Sequence, residues 1–293
     1  MTHVIQTSGL TRRYGSVTAL NDVSVSIEKD AITGLLGRNG AGKTVLMSLI
    51  AAQDNATAGT VLIDGVNPAQ HEGVLRGISF IRDHQRYPSD YRVRELLRIA
   101  PVFHPAWSSE LASTVIETLD IPVNRSINKL SRGQLSAVAV LVGLASRAPI
   151  TMFDEPYLGL DATARLQFYD LLLADYSAHP RTIIVSTHLI DEMEPLLQNI
   201  IVLDRGRVRR LAPAEELRSA AIHLSGRREA IEAVLGTSAA LTSSWLGSVG
   251  AVLVENQPDL ATRARHAGLD IRHTTLQELV AAYGLTDITR SAA

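Results

Sequence analysis

The chain has 293 residues, 46% hydrophobic and 20% charged, which leaves room for one large and one smaller folded domain and excludes long disorder. Lys and Arg total 28 against 30 Asp and Glu, a net charge of -2, so the composition offers no electrostatic footprint for nucleic acid as a principal partner. Cysteine is absent, which excludes disulfides, thiolate catalysis and zinc-cysteine sites and fits a reducing cytoplasm.

The first residues, "MTHVIQTSGLTRRYG", have no apolar run of signal-peptide length. From Val4 to about Ile63 the segments "VIQTSGL", "VSVSI", "ITGLLG" and "GTVLIDG" read as strands separated by turns, with one helix expected from Lys43 to Ala52. After "ISFI" the texture turns helical in "RVRELLRIA", "SSELASTVIETLD" and "SRGQLSAVAVLVGLAS", an expected all-helical insertion over about 84–148. The apolar run at 135–146 is too short for a membrane span, which needs roughly 18 residues or more, and reads as a buried helix.

Strands return with "PITMFDE", "RTIIVSTH" and "NIIVLDRGRV", nearly continuous in apolar residues, as buried parallel strands of an α/β sheet would be. Helix-like segments separate them, beginning near Asp161 and Leu189. Arg205, Arg207, Arg209 and Arg210 flank a turn and are expected to form a solvated edge. From about 220 a weaker alternation begins: strands "AIHLSG", "GAVLVEN" and "LDIRHTT", and helices "RREAIEAVLG", "PDLATRARHAG" and "LQELVAAYG". The expected division is therefore a large unit over 1–218 and a small α/β domain over 219–293.

Three stretches carry chemistry. In "GRNGAGKT", Gly37–Thr44, a strand breaks into glycines and reopens as a helix, the setting of a phosphate-binding loop. Glycines let successive N–H groups of Arg38, Asn39, Gly40, Ala41 and Gly42 turn inward, and the helix end adds partial positive charge. Lys43 is expected at the β- and γ-phosphates and the Thr44 hydroxyl at Mg²⁺.

"ITMFDEP" ends an apolar strand in two acids, and alternation along an extended chain sends them to opposite sides. Asp154 is accordingly assigned to Mg²⁺ through water and Glu155 to the general base that polarises the attacking water. "LSRGQ", Leu130–Gln134, precedes a long apolar helix, and Ser131 with Gln134 forms a capping-box pattern.

In this order the three stretches resemble ATP-binding-cassette (ABC) ATPases over residues 4 to about 218. The resemblance implies a P-loop NTPase cassette of α/β class, with a RecA-like core, an antiparallel β subdomain and a helical subdomain. It implies that Ser131, Gly133 and Gln134 face the γ-phosphate of ATP held by an opposite subunit. Tyr14, in "TRRYGSVTALNDVS", stands where the family stacks an aromatic on adenine. Asp161, in "YLGLDATAR", is expected to meet its counterpart across a dimer, and His188, in "VSTHLIDEME", to hydrogen-bond the γ-phosphate.

Two positions depart from the family pattern. Arg132 replaces the second signature glycine, and the position that commonly holds a Mg²⁺-contacting glutamine is Asp83, with Gln85 two residues later. A carboxylate there is expected to ligate Mg²⁺ while adding negative charge near the phosphate.

A single cassette per chain implies a two-fold dimer, of like chains or with a second ABC subunit, with two ATP molecules at its interface. The implied role is an ATPase subunit, cytoplasmic and peripheral on the inner face of the cell membrane, that powers a separate transmembrane permease. The ending "HTTLQELVAAYGLTD" after a small domain resembles bacterial drug and antibiotic exporters. The competing class is a soluble ABC ATPase acting on DNA or the ribosome; such proteins tend to carry long coiled coils or two cassettes. A third, a regulatory module without turnover, is disfavoured because Lys43, Glu155 and His188 are all present.

Overall fold

The computed structural model describes residues 2–82 and 85–290. Two long strands, β1 (His3–Tyr14) and β2 (Val17–Glu28), open the chain and pair antiparallel. β3 (Ile32–Leu36) enters the interior, α1 (Lys43–Ile50) follows the glycine loop, and β4 (Ala58–Ile63) returns to β1. The helix ends at Ile50, two residues short of the expected Ala52.

α2 (Glu72–Arg76) and β5 (Ile78–Ile81) lead to the helical insertion, made of α3 (Val93–Phe103), α4 (Ser109–Thr118) and α5 (Arg132–Ala145). Then come β6 (Ile150–Asp154), α6 (Ala162–Ala178), β7 (Thr182–Thr187), α7 (Ile190–Met193), β8 (Asn199–Asp204) and β9 (Arg207–Pro213).

Six strands form the central sheet in the order β5-β6-β7-β3-β8-β9. The first five run parallel, so the carboxyl ends of β3, β6 and β7 lie along one edge, where α/β sheets bind ligands. The segment "NIIVLDRGRV" is not one parallel strand as expected. Arg205 and Gly206 both adopt positive φ, +46° and +73°, and their two-residue turn folds β9 back antiparallel on β8. The arginine edge is also less solvated than expected, because Arg209 is half-buried and pairs with Asp204 at 3.2 Å.

One apolar cluster fills the space between the central sheet and the β1–β2–β4 sheet around α1, with Leu46, Met47 and Ile50 at its centre. A larger one joins the other face of the central sheet to α4, α5 and α6. Gly143 of α5 shows how closely these layers approach: a Cβ there would lie 2.7 Å from Ile81 Cγ1 and against the Phe153 ring. Overpacking of this kind costs about 1–3 kcal/mol, so Gly143→Ala should lower the midpoint of urea unfolding without changing its slope.

Beyond α8 (Ala214–Arg218), a second antiparallel sheet has the order β11-β12-β10-β13. Its strands are β10 (Ala221–Arg227), β11 (Thr242–Leu246), β12 (Val249–Glu255) and β13 (Asp270–His273), backed by α9 (Arg228–Leu235) and α10 (Leu260–His266). It has its own core, in which Ile222, Leu224, Ile231 and Val252 meet. The last helix, α11 (Leu276–Arg290), leaves this unit: Leu276, Leu279 and Tyr283 pack in the large cluster with Ile190 and Met193 of α7. Its Gly284 lies against Arg38 of the glycine loop.

Candidate active site

The loop 37–42 bends as its glycines permit. Gly42 caps α1 with φ +106°, and a Cβ there would meet the Ala19 carbonyl at 2.8 Å, so only glycine fits without strain. No side chain caps this helix end and no acid stands in its first turn, which leaves its N–H groups and positive dipole end for an anion.

Lys43, the first helical residue, is 6% exposed and folds back over the loop. Its Nζ donates to the Gly37 carbonyl at 2.7 Å and to that of Arg38 at 3.4 Å, and lies 3.3 Å from Glu155 Oε1.

Thr44 donates to Asp154 Oδ2 at 2.6 Å, bridging the start of α1 and the end of β6, while Ser186 at the end of β7 donates to Asp154 Oδ1 at 2.6 Å. A hydroxyl and a carboxylate side by side form the hard oxygen set that suits Mg²⁺, which keeps several waters and binds through one or two carboxylates plus phosphates. Among the described residues no group of three or more His, Cys, Asp or Glu side chains could hold a metal by itself.

Glu155 departs from the expected alternation. It lies just past β6 with φ +51°, a left-handed conformation that turns its side chain to the same cavity as Asp154 instead of the opposite side. Its N–H donates to Ser186 Oγ at 3.0 Å, which helps hold the turn. Its Oε2 accepts the phenol of Tyr157 and lies 2.5 Å from His188 Nδ1. Tyr157, 2% exposed, also receives the Thr187 hydroxyl at 3.1 Å and the His188 N–H at 2.8 Å. Burial and then the hydrogen bond to Glu155 push the Tyr157 hydroxyl well above its usual range, so it stays protonated.

Asn39, Gly40, Ala41, Gly42, Lys43, Thr44, Asp154, Glu155 and His188 thus line one cavity of about 470 Å³ with Ala19, Val45 and Leu158. Arg38 lines an adjoining hollow that shares Asn39, Gly40, Ala41 and His188.

Tyr14, Ser131, Gly133, Gln134 and Asp161 do not line this cavity. Tyr14 bonds Asp54 through its hydroxyl, and the Arg12 guanidinium covers one face of its ring at 4.4 Å. Ser131 caps α5: its hydroxyl accepts from Gln134 N at 3.2 Å, and Ser131 N in turn donates to Gln134 Oε1 at 3.1 Å. Gly133 abuts the following loop so closely that a Cβ would lie 2.6 Å from the Gly159 carbonyl. Asp161 caps α6 through Ala164 N at 2.8 Å. Asp83 lies outside the described residues; Gln85 lines a small hollow together with Arg132 and Glu155.

Sequence reasoning missed Tyr157, Ser186 and Thr187. The last two directly precede His188 at a strand end, a place whose side chains reach the site; Tyr157 carried no pattern of its own.

Comparison with known proteins agrees with this geometry. The "ABC transporter" family profile matches residues 20–158. "ABC transporter ATP-binding protein YtrB" of Bacillus subtilis is 27% identical over 215 residues, 73% of this chain and 74% of that protein. "Methionine import ATP-binding protein MetN" of Cupriavidus pinatubonensis is 29% identical, over 96% of this chain and 85% of that one. "Nod factor export ATP-binding protein I" of Mesorhizobium japonicum is also 29% identical, with 70% and 62% covered. Other relatives are many times longer, the chain spanning 12% or less of three of them. Among solved structures, the ATP-binding subunit of an ABC transporter superposes with a TM-score of 0.66 at 21% identity, covering 73% of this chain and 92% of that one. A dimeric structure of a bacterial ABC transporter cassette gives 0.64 at 24% identity, with 72% and 98% covered. With the phosphate loop, the paired acids and the parallel sheet in place, the chain carries the ATP-binding domain of the ABC transporter family, on the fold of its ATP-binding cassettes.

Proposed function

We propose that this chain binds and hydrolyses ATP as a two-fold dimer and so drives a separate transmembrane permease, in the direction of export. The observation that carries the reading is the convergence of the uncapped helix end, Lys43, the Thr44–Asp154 pair and the Glu155–His188 pair on one cavity. A triphosphate seated on the loop places its γ-phosphate toward Lys43 and Glu155. Water attacks the phosphorus, its proton passes to Glu155, and the bond to the ADP oxygen breaks. Thr44 and Asp154 would hold Mg²⁺, which when bound neutralises charge on the phosphates.

The capped end of α5 in a second copy would close over the γ-phosphate, with Ser131 and the Gly133 N–H as donors and Asp161 at the seam. Cleavage removes the group both surfaces bind, and the dimer reopens. No described helix is long and apolar enough to cross a membrane. The proposed direction of transport rests on the resemblance of the C-terminal segment to exporters, since relatives named for import and for export both match.

Co-expression with the neighbouring coding sequences and affinity purification from detergent-solubilised membranes is the test. An integral membrane protein that co-purifies and stimulates MgATP hydrolysis is expected. A chain that hydrolyses ATP but associates with ribosomes or DNA instead of any membrane protein would overturn the transport reading.

A further inference from the structure

We propose that Tyr157 is a positioning residue for hydrolysis: its hydroxyl ties the Glu155 carboxylate to the Thr187–His188 segment, so that base and imidazole meet the γ-phosphate as one unit. The inference rests on the assignment of Glu155 as base.

A phenol oxygen can accept two hydrogen bonds and donate one. Here both acceptor directions are taken, by Thr187 Oγ1 at 3.1 Å and His188 N at 2.8 Å, so the proton is forced toward Glu155 Oε2. The His188 ring closes the triangle, with Nδ1 lying 3.0 Å from the phenol oxygen and 2.5 Å from Glu155 Oε2. The two rings also meet edge to face, their centroids 5.4 Å apart.

The tether joins two backbone segments. Glu155 sits in a left-handed turn after β6, a conformation costly for a residue with a Cβ, while His188 follows β7. Tyr157, buried between them, gives the strained turn a fixed partner on the neighbouring strand. It also distinguishes the two carboxylate oxygens. Oε2 is occupied by Tyr157 and His188, whereas Oε1 faces Lys43 at 3.3 Å. Once phosphates draw the Lys43 ammonium away, Oε1 is the oxygen left to take the proton from water.

Tyr157→Phe keeps the buried ring and removes only the tether. An ångström of misplacement can cost on the order of 100-fold, so a partial loosening should lower kcat about tenfold and leave KM for ATP within about two-fold. A residue that merely filled space would give Tyr157→Phe a normal kcat. Combined with His188→Ala, the losses should fall short of multiplying, because the two groups act together. A kcat within about two-fold of wild type, or losses that multiply, would overturn the tether. Should Tyr157→Phe not fold, Thr187→Val removes one of the phenol's two donors isosterically: a lower kcat at constant KM is expected, and an unchanged kcat counts against the proposal. Glu155→Gln measured alongside separates the two failures. If that variant turns over normally, the base assignment is wrong; if it is inactive while Tyr157→Phe is normal, only the tether is wrong.

Discussion

Glu155→Gln should hold ATP as tightly as the parent chain while hydrolysing it on the order of 100-fold more slowly or worse, since a positioned base contributes at least that much. The amide matches the carboxylate in shape, and its oxygen can still accept from Tyr157 and His188 on the side where Oε2 now sits. What disappears is the acceptor for the water proton and the negative partner of Lys43, 3.3 Å away. A lysine released from that pairing is freer to reach the phosphates, so binding should not weaken. With the γ-phosphate uncleaved, the closed pair of chains has no route to reopen and should accumulate. Steady-state phosphate release and sedimentation with MgATP check both halves: turnover within about two-fold of wild type, or a chain that stays monomeric with ATP bound, contradicts the assignment.

Lys43→Ala should behave in the opposite way, losing binding and turnover together. Among the described residues lining the cavity, Lys43 is the only lysine or arginine, facing the carboxylates of Asp154 and Glu155. Removing it leaves two acids beside the place where a triphosphate must sit. The helix end remains attractive, but a preorganised cation at the β- and γ-phosphates is lost, a deficit on the order of 10- to 100-fold in binding, since a hydrogen bond to a charged group is worth about 1.5–3 kcal/mol. Titration with a fluorescent ATP analogue should show the affinity falling by that order. Near-normal affinity would mean that the triphosphate does not contact Lys43.

The contrast between these variants follows from features of unequal legibility in the sequence. The strand–glycine loop–helix turn could be read directly, because glycine spacing between a strand and a helix states a backbone requirement, and Gly42 meets it with φ +106°. Thr44 and Asp154, 110 positions apart, were each assigned to Mg²⁺ from the sequence, but the direct hydrogen bond between them was not foreseen. Strand alternation failed at Glu155 because the strand stops one residue earlier and the backbone turns left-handed. Propensity does not foresee a left-handed glutamate; the neighbouring Ser186, which accepts its N–H, supports it.

Tyr157 was invisible for a related reason, since a single tyrosine in a loop has no periodicity and its partners come from another strand. β11 was missed because "TSSWL" is half-buried or exposed along its length and lacks the alternation that marks a strand with one buried face. The capping box at Ser131 was legible because it is local; whether that helix tip meets a second ATP depends on a surface no pattern within one chain describes.

The lodging of α11 in the large cluster bears on how the molecule is made. Domains emerging from the ribosome tend to fold in order from the amino end. Here Leu279 and Tyr283 complete a hydrophobic interior whose other members, such as Ile32 and Val185, were synthesised long before. Until those late residues emerge, Ile190 and Met193 of α7, just after His188, lack part of their covering. The covering of α7, and with it the seating of the neighbouring His188, should therefore be completed only once α11 has been made and has docked.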